Sequence, residues 1–217
     1  MLIFSIKIWI IMSNCIASQG VKNGLITFLA EGNDSPNSIA FSRKIHHPSF
    51  DSGVTIGRGY DLKERSKALI YHDLMSAGLP TAQAKKISEA SKISGHKAII
   101  FVRQHREDIG EITRSQQVTL FNNIYPNYVK ITKLRYERIT STYHGCPWNK
   151  LNFAIRDILV DIVYQGFKGH QAMKSASTNN IQDFVNFLRY NKEYLPYENG
   201  RNRVKYLERH IILRRKP

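Results

Sequence analysis

Ser52-Gly-Val-Thr-Ile-Gly-Arg-Gly-Tyr-Asp-Leu62 lies where the sequence changes from loop-like to helical composition. Within it, the β-prone run Val54–Ile56 is followed by two glycines. The chain around it, Asn33 to Tyr60, is rich in Asn, Asp, Ser, Pro and Gly and holds a second β-prone run at Ile39–Phe41. Such a composition predicts a loop or small hairpin over this region.

Helical patterning flanks the predicted hairpin on both sides. Apolar residues at helical spacing predict a short helix over Gly20–Gly32, with Gly32 as its stop. After the hairpin, Asp61 with Glu64 predicts the N-cap of a helix that runs to about Ala77. Further helices are expected at Thr81–Ile93, His96–Arg106, Ser115–Asn123, Tyr128–Ile139, Trp148–Tyr164, Ile181–Tyr190 and Arg201–Arg214.

A few short strands near the N-terminus and helices elsewhere predict an α+β, predominantly helical fold. We expect a small β-containing lobe packed against a helical body, with a ligand cleft between them. The stretch Leu151–Tyr164 is the most apolar helix and is expected to be central. Its Arg156, Asp157 and Asp161 are then partly buried and need partners.

The composition indicates a folded and strongly basic protein. Its 217 residues are 42% hydrophobic and 11% aromatic, which excludes a disordered chain. Lys and Arg number 32 against 17 Asp and Glu, giving a formal net charge of +15. Such a charge favours polyanionic partners, namely nucleic acid, an anionic membrane surface or bacterial cell wall, and does not choose among them.

Residues 1–19 differ from the rest of the chain. They are mostly apolar up to Met12, with small residues at Ala17 and Ser18, and this pattern resembles a secretory signal. Lys7 interrupts the apolar run, which is too short for a membrane span. We expect residues 1–19 to be a signal or anchor segment and residues 20–217 to form the functional domain.

The sequence offers little for a metal or cofactor. Cys15 and Cys146 form neither a CxxC motif nor a zinc spacing, and two cysteines are too few for a disulfide framework. His46-His47-Pro48 has no carboxylate or further histidine at ligand spacing, which favours solvated or hydrogen-bonding loop histidines. We therefore expect no metal and no cofactor.

Two carboxylates stand in contrasting predicted settings on either side of the hairpin. Glu31 falls in the last turn of the first helix, where the negative dipole end is expected to raise its pKa. Asp61 is placed at a helix N-terminus, where free amides keep it ionised. Glycoside hydrolysis uses such a pair, one acid protonated for the leaving oxygen and the other charged. Thr55, between them, is suited to hold a water through its hydroxyl.

Simpler explanations of these three residues stay open on residue chemistry alone. Glu31 is also compatible with a solvated helix end, Asp61 with a plain N-cap, and Thr55 with an ordinary strand position. The glycines of the run serve either as turn residues or to let the backbone approach a sugar closely.

The stretch Ser52–Leu62 resembles the SGVTIGxGxDL signature of the pesticin-type muramidases, bacterial-toxin relatives of phage lysozyme. Leu29-Ala-Glu-Gly32 is similar to the catalytic Glu-Gly of that family, at the end of its first helix. The resemblance implies a lysozyme-like fold, Glu31 as general acid, and Thr55 and Asp61 as the residues that position and activate water. Outside these motifs it extends to a helical body with an apolar helix ending in Val-Tyr-Gln-Gly166.

The sequence departs from related patterns at two positions. In ordinary phage lysozymes the aspartate precedes the threonine, which points to Asp51, whereas the context Gly-Tyr-Asp-Leu62 favours Asp61. Arg58 stands inside the glycine run, where we expect it either to contact an anionic substrate or to face solvent.

The activity implied by the resemblance is cleavage of the bond between N-acetylmuramic acid and N-acetylglucosamine in peptidoglycan, by an antibacterial toxin, effector or lysin. We expect inversion, which needs the carboxyl groups roughly 6.5–9.5 Å apart. Expected partners are peptidoglycan and an immunity protein, with no nucleic acid and no stable oligomer. The expected location is secreted or periplasmic.

Two other functions remain open. One is a non-catalytic basic helical module that binds cell-wall glycan or nucleic acid, although no helix-turn-helix or zinc motif supports it. The other is a lysozyme-like protein that has lost activity and only binds glycan.

Overall fold

The computed structural model describes residues 18–38 and 41–214. The chain divides into two compact units, the first ending at Ile124 and the second beginning at Tyr125. The first unit contains α1 (Leu25–Ala30), β1 (Thr55–Ile56), β2 (Tyr60–Asp61), α2 (Lys67–Ser76), α3 (Thr81–Ser88), α4 (Gly95–Ile109) and the start of α5 (Arg114–Thr140). The second contains the rest of α5, a 3-10 turn (Trp148–Lys150), α6 (Phe153–Tyr164), α7 (His170–Ala176), α8 (Ile181–Tyr190), a second 3-10 turn (Leu195–Tyr197), α9 (Glu198–Arg201) and α10 (Arg203–Arg214).

The structure is predominantly helical, with one two-stranded antiparallel sheet among the described residues. The predicted α+β, mainly helical class is therefore confirmed. Residues 1–17, which make up most of the predicted signal or anchor segment, lie outside the described ranges. Ile39 and Ala40, which belong to the β-prone run Ile39–Phe41, also lie outside them. Within residues 18–38 and 41–214, no helix combines the length and apolar character that a membrane crossing requires.

The small sheet lies at the end of the region in which the sequence predicted a loop or small hairpin. Its first strand falls in the predicted β-prone run Val54–Ile56, whereas its second strand, Tyr60–Asp61, was not predicted. Thr55 pairs with Asp61, and Ile56 pairs with Tyr60. Gly57 and Gly59 in the connecting turn have φ of 63° and 75°, a left-handed conformation that glycine adopts without a steric penalty.

A third extended segment lies on the other edge of β1. Thr55 donates its backbone N–H to the His46 carbonyl over 2.8 Å, and His46 donates its own to the Thr55 carbonyl over 2.9 Å. Thr55 is therefore flanked by His46 on one side and Asp61 on the other. Residues directly opposite on neighbouring strands place their side chains on the same face, so the three side chains form a row.

The N-cap of α2 is Ser66, and the prediction that Asp61 and Glu64 begin this helix is wrong. The Ser66 hydroxyl accepts the backbone N–H of Leu69 over 3.2 Å. Asp61 instead ends β2, and residues 63–65 turn the chain before the helix starts. Asp61 is unavailable as a cap because its backbone is committed to the hairpin.

Helix α5 is continuous, whereas the sequence predicted two helices separated near Pro126. A proline within a helix removes one backbone donor and crowds the carbonyl four residues before it, here that of Asn122. Buried Phe121, Ile124 and Tyr125 lie next to this point. The packing of these side chains offsets the local cost of the proline.

The other helices follow the prediction with shifted ends. The bounds of α8 are as predicted, whereas α3 ends at Ser88 and α4 extends to Ile109. The long helix predicted from Trp148 is divided, because Asn152 caps α6 by accepting the backbone N–H of Ala154 over 2.9 Å. The last helix begins at Arg203 because Asn202 has a left-handed φ of 55°. Helix α7 was not predicted.

Helix α6 supplies the core of the second unit, as predicted. Asp161 is fully buried there and accepts Nε of Arg203 over 2.7 Å and a guanidinium nitrogen of Arg201 over 2.8 Å. Asp157 accepts the hydroxyl of Tyr206 over 2.5 Å, and burial raises the pKa of that carboxyl. The prediction that the acidic residues of this helix are buried and partnered is confirmed.

Candidate active site

A cavity of about 330 Å³ lies within the first unit. It is formed where the end of α1, the 46–48 segment and the hairpin meet, and its lining consists of Ala30, Glu31, Gly32, His46, His47, Pro48, Thr55 and Gly59. Glu31 and Thr55, two of the three predicted catalytic residues, thus share one cavity. Asp61 is outside this lining, as is Asp51, which is exposed on the preceding loop.

Glu31 reaches the cavity because α1 ends there. Its backbone N–H closes the last helical turn on the Thr27 carbonyl over 3.1 Å, and its φ and ψ of −87° and 17° leave the helix. Gly32 follows with φ 139°, a conformation that side chains rarely adopt, which confirms it as the stop. The sequence therefore predicted the position of Glu31 correctly.

Arg58 holds the end of α1 against the hairpin turn. Its guanidinium donates to the Gly32 carbonyl, lies 4.5 Å from the centre of the Phe28 ring, and pairs with Asp34 at 3.3 Å. Its side chain is 2% exposed, so the interpretation that it faces solvent is wrong, and a contact with an anionic substrate stays a prediction. Burial lowers the pKa of Arg58, and the charge of Asp34 opposes this effect.

Asp34 is the centre of a cluster that the sequence did not predict. Its carboxylate is 3% exposed and pairs with Arg43 at 3.6 Å, Arg58 at 3.3 Å and Arg114 at 3.2 Å. The amide of Gln117 also donates to it over 3.0 Å. These contacts join the loop after α1, the hairpin turn and the start of α5, and so fix the frame around the cavity.

Thr55 is 3% exposed, and its hydroxyl is 3.5 Å from the carbonyl of Gly53, a long hydrogen bond.

Asp61 also contacts Gly53. The N–H of Gly53 lies 3.1 and 3.2 Å from the two carboxylate oxygens of Asp61, and the N–H of Lys63 lies 2.8 Å from one of them. A Cβ at Gly53 would stand 2.4 Å from the Asp61 carboxylate, which explains the glycine. Asp61 is thus surrounded by amides as expected, but by those of loops rather than of a helix.

His46 is placed beside Thr55 with a defined protonation pattern. Its Nδ1 lies 3.1 Å from the Lys44 carbonyl. A carbonyl only accepts, so Nδ1 carries the proton and the neutral ring keeps its lone pair at Nε2. Burial lowers the pKa of His46, the Lys44 carbonyl opposes that shift, and the nearby charges of Arg106 and His47 add to it. The lowered pKa favours the neutral form of the ring.

His47 lines the same cavity, and its buried Nε2 has no hydrogen-bond partner among the described residues. The sequence singled out both histidines only as loop residues. Their role at the cavity depends on the pairing of residue 46 with residue 55, which no local pattern reveals. In the described parts of the chain, no three His, Cys, Asp or Glu side chains are grouped to hold a metal ion.

Comparison with curated proteins finds no match to this chain. A family model described as "Domain of unknown function (DUF8812)" matches residues 24–206, which include every residue that lines the cavity. With most of its length matched, the chain belongs to the DUF8812 family.

Proposed function

We propose that this protein is a peptidoglycan N-acetylmuramidase with a lysozyme-like fold. One observation carries the proposal: Glu31 and Thr55, to which the resemblance assigns the acid and the water-positioning role, line a single cavity although they are distant in sequence. Their positions are set by the Gly32 stop and by the hairpin, so the two motifs that carry the resemblance meet in space.

The proposed reaction is hydrolysis of the bond that joins the muramic-acid unit to the next sugar. Glu31 gives its proton to the departing glycosidic oxygen while a water, oriented by the Thr55 hydroxyl, attacks the anomeric carbon from the opposite face. Asp61 keeps Gly53 in place, and the Gly53 carbonyl in turn receives the Thr55 hydroxyl. The resemblance favours inversion of the anomeric configuration.

The net charge of +15 suits adhesion to an anionic wall polymer. We propose an antibacterial toxin, effector or lysin that acts in a secreted or periplasmic location, with an immunity protein in the producing cell. The same charge also fits the alternative function, a non-catalytic module that binds cell-wall glycan or nucleic acid.

The test is clearing of purified bacterial walls by the wild type and by Glu31→Gln, with the released sugars identified by mass spectrometry. We expect the wild type to release fragments with new muramic-acid reducing ends and Glu31→Gln to be slower by about 10²-fold or more, as for loss of a general acid. Glu64→Gln, an exposed residue of the same unit, is the matched control and should keep the wild-type rate. A wild type that binds walls or DNA without releasing sugars contradicts the proposal and supports the binding module.

A further inference from the structure

We propose that His46 is the general base of this reaction and takes the proton of the attacking water held by Thr55. This inference rests on the proposed hydrolysis at the cavity. It assigns the base to a residue that neither the resemblance nor the family description provides, and it leaves Asp61 a positioning residue.

The backbone pairing brings the His46 and Thr55 side chains together. The two residues exchange both backbone hydrogen bonds, an arrangement that sets their Cα atoms about 5.5 Å apart with the side chains on one face. Both line the same cavity as Glu31. The proposed step places a water bound by the Thr55 hydroxyl within reach of this imidazole.

The chemistry of the ring suits a base. Since Nδ1–H is engaged by the Lys44 carbonyl, Nε2 keeps the lone pair that accepts a proton. The side chains whose charges influence it are those of Arg106 and His47, which favour the neutral form together with burial. Glu31 lines the same cavity. The Lys44 carbonyl stabilises the imidazolium once it forms, because Nδ1–H then donates more strongly.

Asp61 is less suited to that task. Its carboxylate accepts the N–H groups of Gly53 and Lys63 and does not line the cavity. Its contacts instead fix Gly53, the acceptor for the Thr55 hydroxyl.

In the proposed step one water proton moves to Nε2 of His46 as the water oxygen bonds to the anomeric carbon. The glycosidic carbon–oxygen bond breaks with its electron pair, and the leaving oxygen receives the proton of Glu31. His46 ends as imidazolium and Glu31 as carboxylate. Transfer of one proton from His46 to Glu31 through solvent restores both groups.

The test compares His46→Gln with the wild type in wall hydrolysis as a function of pH. Glutamine is close to histidine in size and accepts no proton in this pH range, so the base is removed. We expect kcat to fall by about 10²- to 10⁴-fold with KM nearly unchanged. A base works when deprotonated, so wild-type activity should fall as the pH drops through a value below 6.5, the ordinary pKa of histidine. His46→Gln should lose this acid limb.

Two further variants complete the comparison. His72→Gln, at an exposed histidine of the same unit, is the matched control and should keep both the rate and the acid limb. Asp61→Asn retains an oxygen that accepts the Lys63 N–H, and it should lose less activity than His46→Gln and keep the acid limb.

The outcomes separate the base assignment from the proposed function. An active wild type whose His46→Gln variant retains its rate and its acid limb overturns the base and leaves the muramidase intact. A wild type without hydrolysis overturns the proposed function together with this step. Should His46→Gln fail to fold, nitrogen NMR of the wild-type imidazoles decides: protonated Nδ1 and titration below 6.5 support the inference, and protonated Nε2 in the neutral ring overturns it.

Discussion

At the scale of single residues, Arg58 combines contacts that another cation cannot reproduce. Its planar guanidinium donates to the Gly32 carbonyl, pairs with Asp34 and stacks on Phe28 at the same time. A lysine ammonium is a compact point charge without a stacking plane. Arg58 therefore holds the end of α1, and with it Glu31, at a fixed place beside the hairpin.

We expect Arg58→Lys to destabilise the protein by about 1.5–3 kcal/mol, the cost typical of losing hydrogen bonds to a charged group. The displaced α1 end should also lower the proposed hydrolysis through kcat more than through KM. Urea unfolding and wall-clearing kinetics measure the two effects. The exposed Arg103→Lys provides the control, and equal stability of both variants would show that Arg58 has no anchoring role.

The sequence predicted some residue positions and missed others for physical reasons. Glu31 at a helix end followed from a local pattern, an apolar run stopped by glycine. The burial of Arg58 did not, because its partner Asp34 is distant in sequence and exposure is the ordinary state of arginine. The placement of His46 beside Thr55 depends on strand register, a tertiary property.

At the scale of secondary-structure elements, the first strand of the hairpin was predicted, whereas its second strand and the start of α2 were not. Asp61 and Ser66 are both residue types that cap helices well. Only the pairing of Asp61 with Thr55 decides between them, since it commits Asp61 to a strand. Local propensity therefore predicted that a helix follows the hairpin, but the residue at which this helix begins is decided by long-range contacts.

Helix α5 leads to a prediction about Pro126. We expect Pro126→Ala to stabilise the protein by about 2 kcal/mol. Alanine restores a backbone donor and is favoured over proline by about 3 kcal/mol inside a helix. Part of this gain is lost because proline also lowers the conformational entropy of the unfolded chain. Chemical denaturation followed by far-ultraviolet circular dichroism measures it. Pro36→Ala, in an exposed turn, should show no such gain. Lower stability of Pro126→Ala would indicate a structural need for the proline.

At the scale of the whole molecule, the stability of the second unit depends on a buried charge network. Asp161 and Arg203 are both fully buried, and Gln165 also accepts from Arg203 over 2.5 Å. Removing one partner of such a pair leaves the other charge buried and uncompensated. The composition indicated a basic, mainly helical chain, but the division at Ile124 into two units came only from the structure.

Asp161→Ala should therefore lower the free energy of unfolding by about 3–5 kcal/mol. Arg189→Ala, which breaks the half-exposed pair with Glu208, should cost no more than about 1 kcal/mol. Chemical denaturation of both variants makes the comparison. Replacing Asp161 and Arg203 together, with Asp161→Leu and Arg203→Met, should recover part of the loss, since only Arg201 then lacks its partner. No recovery would argue against an uncompensated charge as the cause.

The contact of Arg58 with the Gly32 carbonyl has a consequence for how the chain tolerates change in length. Residues 35–37 form an exposed turn between the two motifs of the proposed site. The contact of Arg58 with Gly32 fixes the chain before this turn, and the pairing of His46 with Thr55 fixes it after. Extra residues inserted in the turn therefore cost the hydrogen bond between Ser38 and Ser35 and a closure entropy of about 0.6 kcal/mol for each doubling of loop length. The turn is thus a natural place to graft a wall-targeting peptide or an epitope without disturbing the cavity.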